Sequence, residues 1–142
     1  MYASGSVSEE GWNATRQFVK DFSSQLSVSA SEVHVAVVTF SEDASVILTL
    51  AQGQSQTAVD AAADGMPQTF FRTFTNRGLD AVRDVIFTDG NGVRASSEVP
   101  RLLVVLTDGR STQPDLTSPA AESLRLEPFN VQIHAFGVGD LI

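Results

Sequence analysis

At 142 residues and 15.2 kDa, with 42% hydrophobic residues, the chain is long enough for one compact core and too short for two, so a single domain spanning 1–142 is expected. A formal charge of -8 and a pI near 4.5 exclude nucleic acid and anionic lipid as natural partners, since both require a basic face to displace counterions; the same charge suits cation binding. The absence of cysteine removes disulfides, thiolate catalysis and cysteine-based zinc sites but does not fix a compartment, and no run approaches the roughly eighteen apolar residues of a membrane span.

Taken in order, Ser4-Gly5-Ser6-Val7-Ser8 is a loop of small residues without the basic and apolar blocks of a signal peptide. It runs into a helix over about 9–26, which Ser8 can cap and whose positive end suits Glu9 and Glu10. Trp12, Phe18, Val19, Phe22 and Leu26 recur there at helical spacing. Asn13-Ala14-Thr15, on the same helix, is an N-glycosylation sequon that matters only in a secreted protein. After a polar linker, residues 33–40 read as a strand, Ser41-Glu42-Asp43 as a tight turn, and residues 44–50 as the antiparallel partner. An alanine-rich helix is expected over about 56–64, ending near Gly65 and Pro67. Residues 68–76 have no clean period and read as a loop, with Thr75 or Asn76 able to cap a helix over about 77–87 that buries Leu79, Val82, Val85 and Ile86. Residues 88–99, with Gly90, Asn91 and Gly92, form a surface excursion.

The run Leu102-Leu103-Val104-Val105-Leu106 is apolar at every position, which marks a strand buried on both faces. It stops at Thr107-Asp108-Gly109, a turn signal that sets the Asp108 carboxylate at the carboxyl end of the sheet, where open α/β sheets bind ligands. Residues 111–117 are polar, Ser118 can cap a short helix with Pro119 at its first position, and Glu127-Pro128 closes it. Residues 131–138 form the last strand. Strands alternating with helices mean an α/β layered fold with a mainly parallel sheet. His34 and His134 lie inside expected strands with no Ser, Cys or Asp spacing that suggests a triad, and Phe70, Phe71 and Phe74 read as core more readily than as a contact rim.

Four fragments in this order carry a resemblance: Ser4-Gly5-Ser6-Val7, then Thr73 within Thr73-Phe74-Thr75-Asn76-Arg77-Gly78-Leu79, then Leu106-Thr107-Asp108-Gly109, then Phe136-Gly137-Val138-Gly139-Asp140. Together they resemble the von Willebrand factor A domain family, which includes the integrin inserted domains, over essentially the whole chain. The resemblance implies a three-layer, Rossmann-like fold, mainly parallel with one antiparallel edge strand and helices on both faces. It also implies a metal-ion-dependent adhesion site built from an Asp-x-Ser-x-Ser loop, a threonine and an aspartate, here matched by Ser4 and Ser6, Thr73 and Asp108. Hydroxyls plus a carboxylate make an all-oxygen set that suits Mg2+, with Mn2+ or Ca2+ as substitutes, and Mg2+ commonly keeps waters that a partner's oxygen can replace. In the family an acidic residue of the partner protein completes the metal shell, which implies an extracellular matrix or cell-surface protein ligand, an extracellular location and no catalysis.

Two departures qualify that reading. Tyr2 stands where the motif has aspartate, and neither the first hydrophobic strand, which in the resembled fold lies between the strands at 33–40 and 101–107, nor the family's C-terminal elements are present in the sequence. The expectation is an incomplete domain with weakened metal binding and self-association through exposed strand edges. Two further classes remain open: a scaffold or interaction domain with an inactive metal site, and a hydrolase of doubly wound fold using Asp108, against which stands the lack of a nucleophile elbow or glycine-rich phosphate loop.

Overall fold

The computed structural model describes residues 8–68, 73–107, 109 and 111–137. Helix α1 spans Glu9–Ser24; Ser8 Oγ accepts a hydrogen bond from the Gly11 N–H at 3.1 Å and Glu9 and Glu10 occupy the first turn, as the sequence signals require. Its inward face ends in a buried Trp12 whose indole N–H donates to the Met66 carbonyl at 3.3 Å. Helix α2, Gln56–Gly65, is capped by Ser55 and lies against α1, with Gln56 Nε2 donating to Ser23 Oγ at 2.9 Å. Val59, Ala63 and Met66 are completely buried there.

Strand β1, Val37–Phe40, pairs antiparallel with β2, Ala44–Leu48, across the turn at 41–43, and a bulge interrupts the register between Val37 and Val38. The regular strand is shorter than the apolar run from 33 suggested. Upstream residues remain extended but pair with loops: Val33 bridges Val28, and the Val35 N–H donates to the Gly53 carbonyl at 2.9 Å. A methyl group on Gly53 would lie 1.7 Å from the Val35 carbonyl oxygen, so only glycine permits this approach.

Helix α3, Thr75–Ala81, starts earlier than its periodicity indicates. Thr75 and Asn76 lie within the first turn, and Phe74 takes the cap position without a side-chain hydrogen bond. The helix then widens into a π turn, Val82–Ile86, closed by the Phe87 N–H on the Val82 carbonyl at 3.0 Å. Five-residue closure breaks the 3.6-residue period, so Leu79, Val82 and Ile86 are buried but Val85, expected inside, is 39% exposed. Helix α4, Pro114–Arg125, also starts before its expected origin. Pro114 takes the first turn, where its missing N–H costs nothing, and Pro119 sits inside the helix rather than at its start.

Strands β3, Arg101–Thr107, and β4, Val131–Gly137, pair in parallel from Arg101↔Val131 to Thr107↔Gly137. The described residues therefore form an α/β arrangement with two ladders, β1–β2 and β3–β4, and no strand pairing joins one to the other. Between β1 and β3 lies a cavity of about 640 Å³ lined largely by apolar groups, among them Phe22, Val35, Val38, Leu79, Leu103 and Val104. Helix α3 links the halves, packing on β1 and β2 on one side and on α4 on the other. Among the described residues no helix is long and apolar enough to cross a membrane.

Candidate metal site at the carboxyl end of the strands

Of the four residues that the sequence nominates, Thr73 is described, while Ser4, Ser6 and Asp108, together with Tyr2, lie outside the described residues. Thr73 is only 3% exposed and sits two residues before α3. Its backbone is clasped from the loop that follows β3: the Thr73 N–H donates to Thr112 Oγ1 at 2.9 Å, the Thr112 N–H returns a bond to the Thr73 carbonyl at 2.6 Å, and Ser111 Oγ reaches the same carbonyl at 3.4 Å. On the other side the Phe74 N–H donates to the Ser41 carbonyl at 2.9 Å, at the end of β1. The Thr73 loop is thus tied to the carboxyl ends of both β1 and β3, the edge at which an open α/β sheet offers its binding site.

Among the described residues no hydrogen bond engages the Thr73 hydroxyl, and the Asn76 side-chain oxygen, in the first turn of α3, is buried without a partner. An unpaired buried oxygen of this kind costs about 1–3 kcal/mol unless something outside the described groups satisfies it. Thr39 and Ser41, at the end of β1, are buried as well. Among the described residues the nearest cation along the chain, Arg77, is committed elsewhere: it donates to the Glu42 carbonyl, pairs with Asp43 at 2.7 Å and stacks on the Phe74 ring at 4.5 Å. Among the described residues no group of three or more His, Cys, Asp and Glu gathers to hold a metal. The Thr73 and Asn76 side-chain oxygens are neutral, and they fit a hard divalent ion only if a carboxylate joins them; Asp108 follows Thr107, the last residue of β3.

Sequence reasoning nominates Thr73 but not the residues that hold its backbone. Ser111, Thr112 and Ser41 hold it by backbone bonds from 32 to 39 residues away, a distance over which one sequence carries no periodic signal. Their polarity at the two strand ends was the available hint.

The von Willebrand factor type A domain model matches residues 3–142. The chain belongs to this family. It is 30% identical over 137 residues to the human collagen alpha-5(VI) chain, an alignment that takes in 96% of this chain and 5% of that much longer relative. The zinc-occupied structure of proximal thread matrix protein 1 from the mussel byssus superposes with a TM-score of 0.87 at 20% identity, covering 96% of this chain and 36% of that one. Manganese-loaded Plasmodium vivax TRAP protein gives 0.80 at 17% identity, covering 99% of this chain and 55% of that one. At these identities the two structures show that the fold is shared. The chain's curated relatives include collagen VI chains, matrilins and von Willebrand factor, proteins of the extracellular matrix or secreted.

Proposed function

We propose that this von Willebrand factor A domain is a non-enzymatic adhesion module that recognises an extracellular protein through a divalent cation held by Ser4, Ser6, Thr73 and Asp108. Mg2+ is the natural occupant, with Mn2+ or Ca2+ as substitutes, and an acidic side chain of a matrix or cell-surface partner completes its shell. The observation that carries this reading is the two-way clasp between Thr73 and Thr112, which fixes the Thr73 loop to the loop containing Asp108 while no described residue engages the Thr73 hydroxyl. Zinc in the MIDAS motif of the byssal protein, and the manganese-loaded state of the Plasmodium protein, support a divalent ion in this fold. Residues 1–142 act here as one domain, and the edges of β1 and β3, which no described strand covers, allow it to self-associate.

Tyr2 weakens the site. In the family the aspartate at that position orders waters and hydroxyls around the ion more than it bonds the ion, and loss of such a support costs about 10–100-fold in metal affinity, or roughly 1.4–2.7 kcal/mol. Calorimetric titration with Mn2+ tests the assignment. Weak binding in the natural chain, tighter binding in Tyr2→Asp and none in Asp108→Ala are expected, whereas equal affinities in all three proteins would remove the site.

Tyr2 also favours one alternative, a scaffold domain whose metal site is inactive. Cation-dependent capture of matrix proteins by the natural chain separates the two, because a scaffold binds equally well in chelator. A hydrolase is less well supported: His34 Nε2 bonds the Ala30 carbonyl at 3.0 Å and His134 is exposed on β4, and neither has a carboxylate partner among the described residues.

A further inference from the structure

The sequon Asn13-Ala14-Thr15 falls in the second turn of α1, and the two residues that define it face opposite ways. Asn13 is exposed, on an outer stripe that continues through Gln17, Asp21 and Ser24 at three- and four-residue intervals. Its side-chain oxygen accepts one long hydrogen bond from Arg16 at 3.4 Å, and its Nδ2 makes none among the described residues. Thr15 is 3% exposed, and its hydroxyl donates to the Gly11 carbonyl at 2.9 Å. Residues two apart on a helix are separated by about 200° around its axis, so no rotamer lets the Thr15 hydroxyl reach the Asn13 amide while α1 is formed.

From this geometry we infer that Asn13 is an N-glycan acceptor that is modified before α1 folds, and that the finished glycan covers the solvent face of that helix. A sequon is read as one unit, with the hydroxyl of the third residue held beside the amide of the first, and only unfolded chain can present it so. The transfer forms a bond from Asn13 Nδ2 to the anomeric carbon of an oligosaccharide carried on a lipid pyrophosphate. The bond from that carbon to the pyrophosphate oxygen breaks, the lipid pyrophosphate leaves, and one amide proton passes to a base on the transferase. Once α1 has formed, the Thr15 hydroxyl is buried on the Gly11 carbonyl and the unit is lost. The sugar meets no such obstacle. It projects from the stripe of Asn13, Gln17 and Asp21, away from the buried Trp12 and Thr15, and it directs a protein partner to other faces of the domain.

The proposal rests on the extracellular reading only in needing passage through a secretory compartment. The chain is therefore fused to a cleavable secretory leader in mammalian cells, and the combined lysate and medium are treated with an N-glycan-releasing amidase in 18O water. Mass spectrometry is expected to find labelled aspartate at position 13 in the natural chain, and Asn13→Gln is expected to lose the mobility shift without losing fold. Unmodified Asn13 in both fractions overturns the glycan site and leaves the matrix reading standing, because the leader admits the chain wherever its parent resides. Timing has its own test, with purified transferase and the lipid-linked donor. A synthetic peptide of residues 8–20, too short to hold a stable helix, is expected to be modified while the folded chain is not. Equal rates for the two overturn modification before folding.

Discussion

Thr73 and Thr112, 39 residues apart, form a reciprocal clasp in which each backbone N–H is answered by the other residue, one through a hydroxyl and one through a carbonyl. Neither belongs to a strand or helix, so the clasp does for two loops what a ladder does for two strands. It fixes where the Thr73 hydroxyl can be offered.

Replacing Thr112 by valine keeps the shape and removes the acceptor. The Thr73 N–H is then left unpaired beside a residue that is 3% exposed, and the expected loss is about 1–3 kcal/mol in urea unfolding. Ser111→Ala, which removes only the 3.4 Å contact, is expected to cost less. Accelerated amide exchange at Thr73 in Thr112→Val alone would locate the damage, and equal effects of the two substitutions would contradict the account.

Gly78 brings α3 against β1. A methyl group there would lie 2.8 Å from Cδ1 of Phe40, a ring that is itself only 6% exposed and cannot swing clear. Gly78→Ala is expected to destabilise by about 1–3 kcal/mol as overpacking, in spite of alanine's better helix propensity. Adding Phe40→Leu should return part of that loss, and thermal melts of the single and double variants give the coupling directly.

The pH response of the Arg83 pair should be small and one-sided. The hydrogen bond from Arg83 holds the Asp84 carboxyl below its ordinary 3.8, and the same bond holds the guanidinium above its ordinary value. A depressed carboxyl stabilises the fold above the unfolded pKa and loses that contribution as pH falls through the folded one. The Asp84 side chain is 58% exposed, so solvent screening limits the effect to less than about 1 kcal/mol. The stability gap between the natural chain and Asp84→Asn should be present at neutral pH and close below 3.8; a gap that widens in acid would reverse the assignment.

Self-association through the strand edges is expected to depend on concentration in sedimentation runs. Leu102, on β3 and 51% exposed where it lines the cavity, can accept a charge without disturbing the core. Leu102→Lys should shift the population toward monomer, since a lysine at an unpaired edge obstructs further pairing. A natural chain that stays monomeric at every concentration would refute this expectation.

Much of this architecture was legible in the residues. Ser8 with Glu9 and Glu10 marked the start of α1, and five apolar residues in a row marked β3, because in both cases the signal is local. Signals that compete locally were misleading. Pro119 reads as a helix start, but the helix begins at Pro114 and tolerates the later proline inside it. Val85 fits a regular period that the π turn abolishes, and Thr75 and Asn76 resemble caps although α3 already includes them. At the site the sequence could nominate Thr73 by its motif, but not Ser111 or Thr112, whose roles come from a tertiary contact.

The separation of the two ladders has a consequence for how the domain yields. Among the described residues the backbone is cross-linked by hydrogen bonds within β1–β2 and within β3–β4, whereas force or heat passing from one pair to the other travels through side-chain packing on α3 and on α1, where Phe18 meets Phe136 of β4, and through the Thr73–Thr112 clasp. Opening should therefore be hierarchical, with the halves parting at side-chain contacts before either ladder breaks, and native-state exchange should resolve two cooperative units. Thr73 lies at the seam. A cation drawn to it from both sides would act as a rivet, and domain rigidity would rise with occupancy even if no element moved.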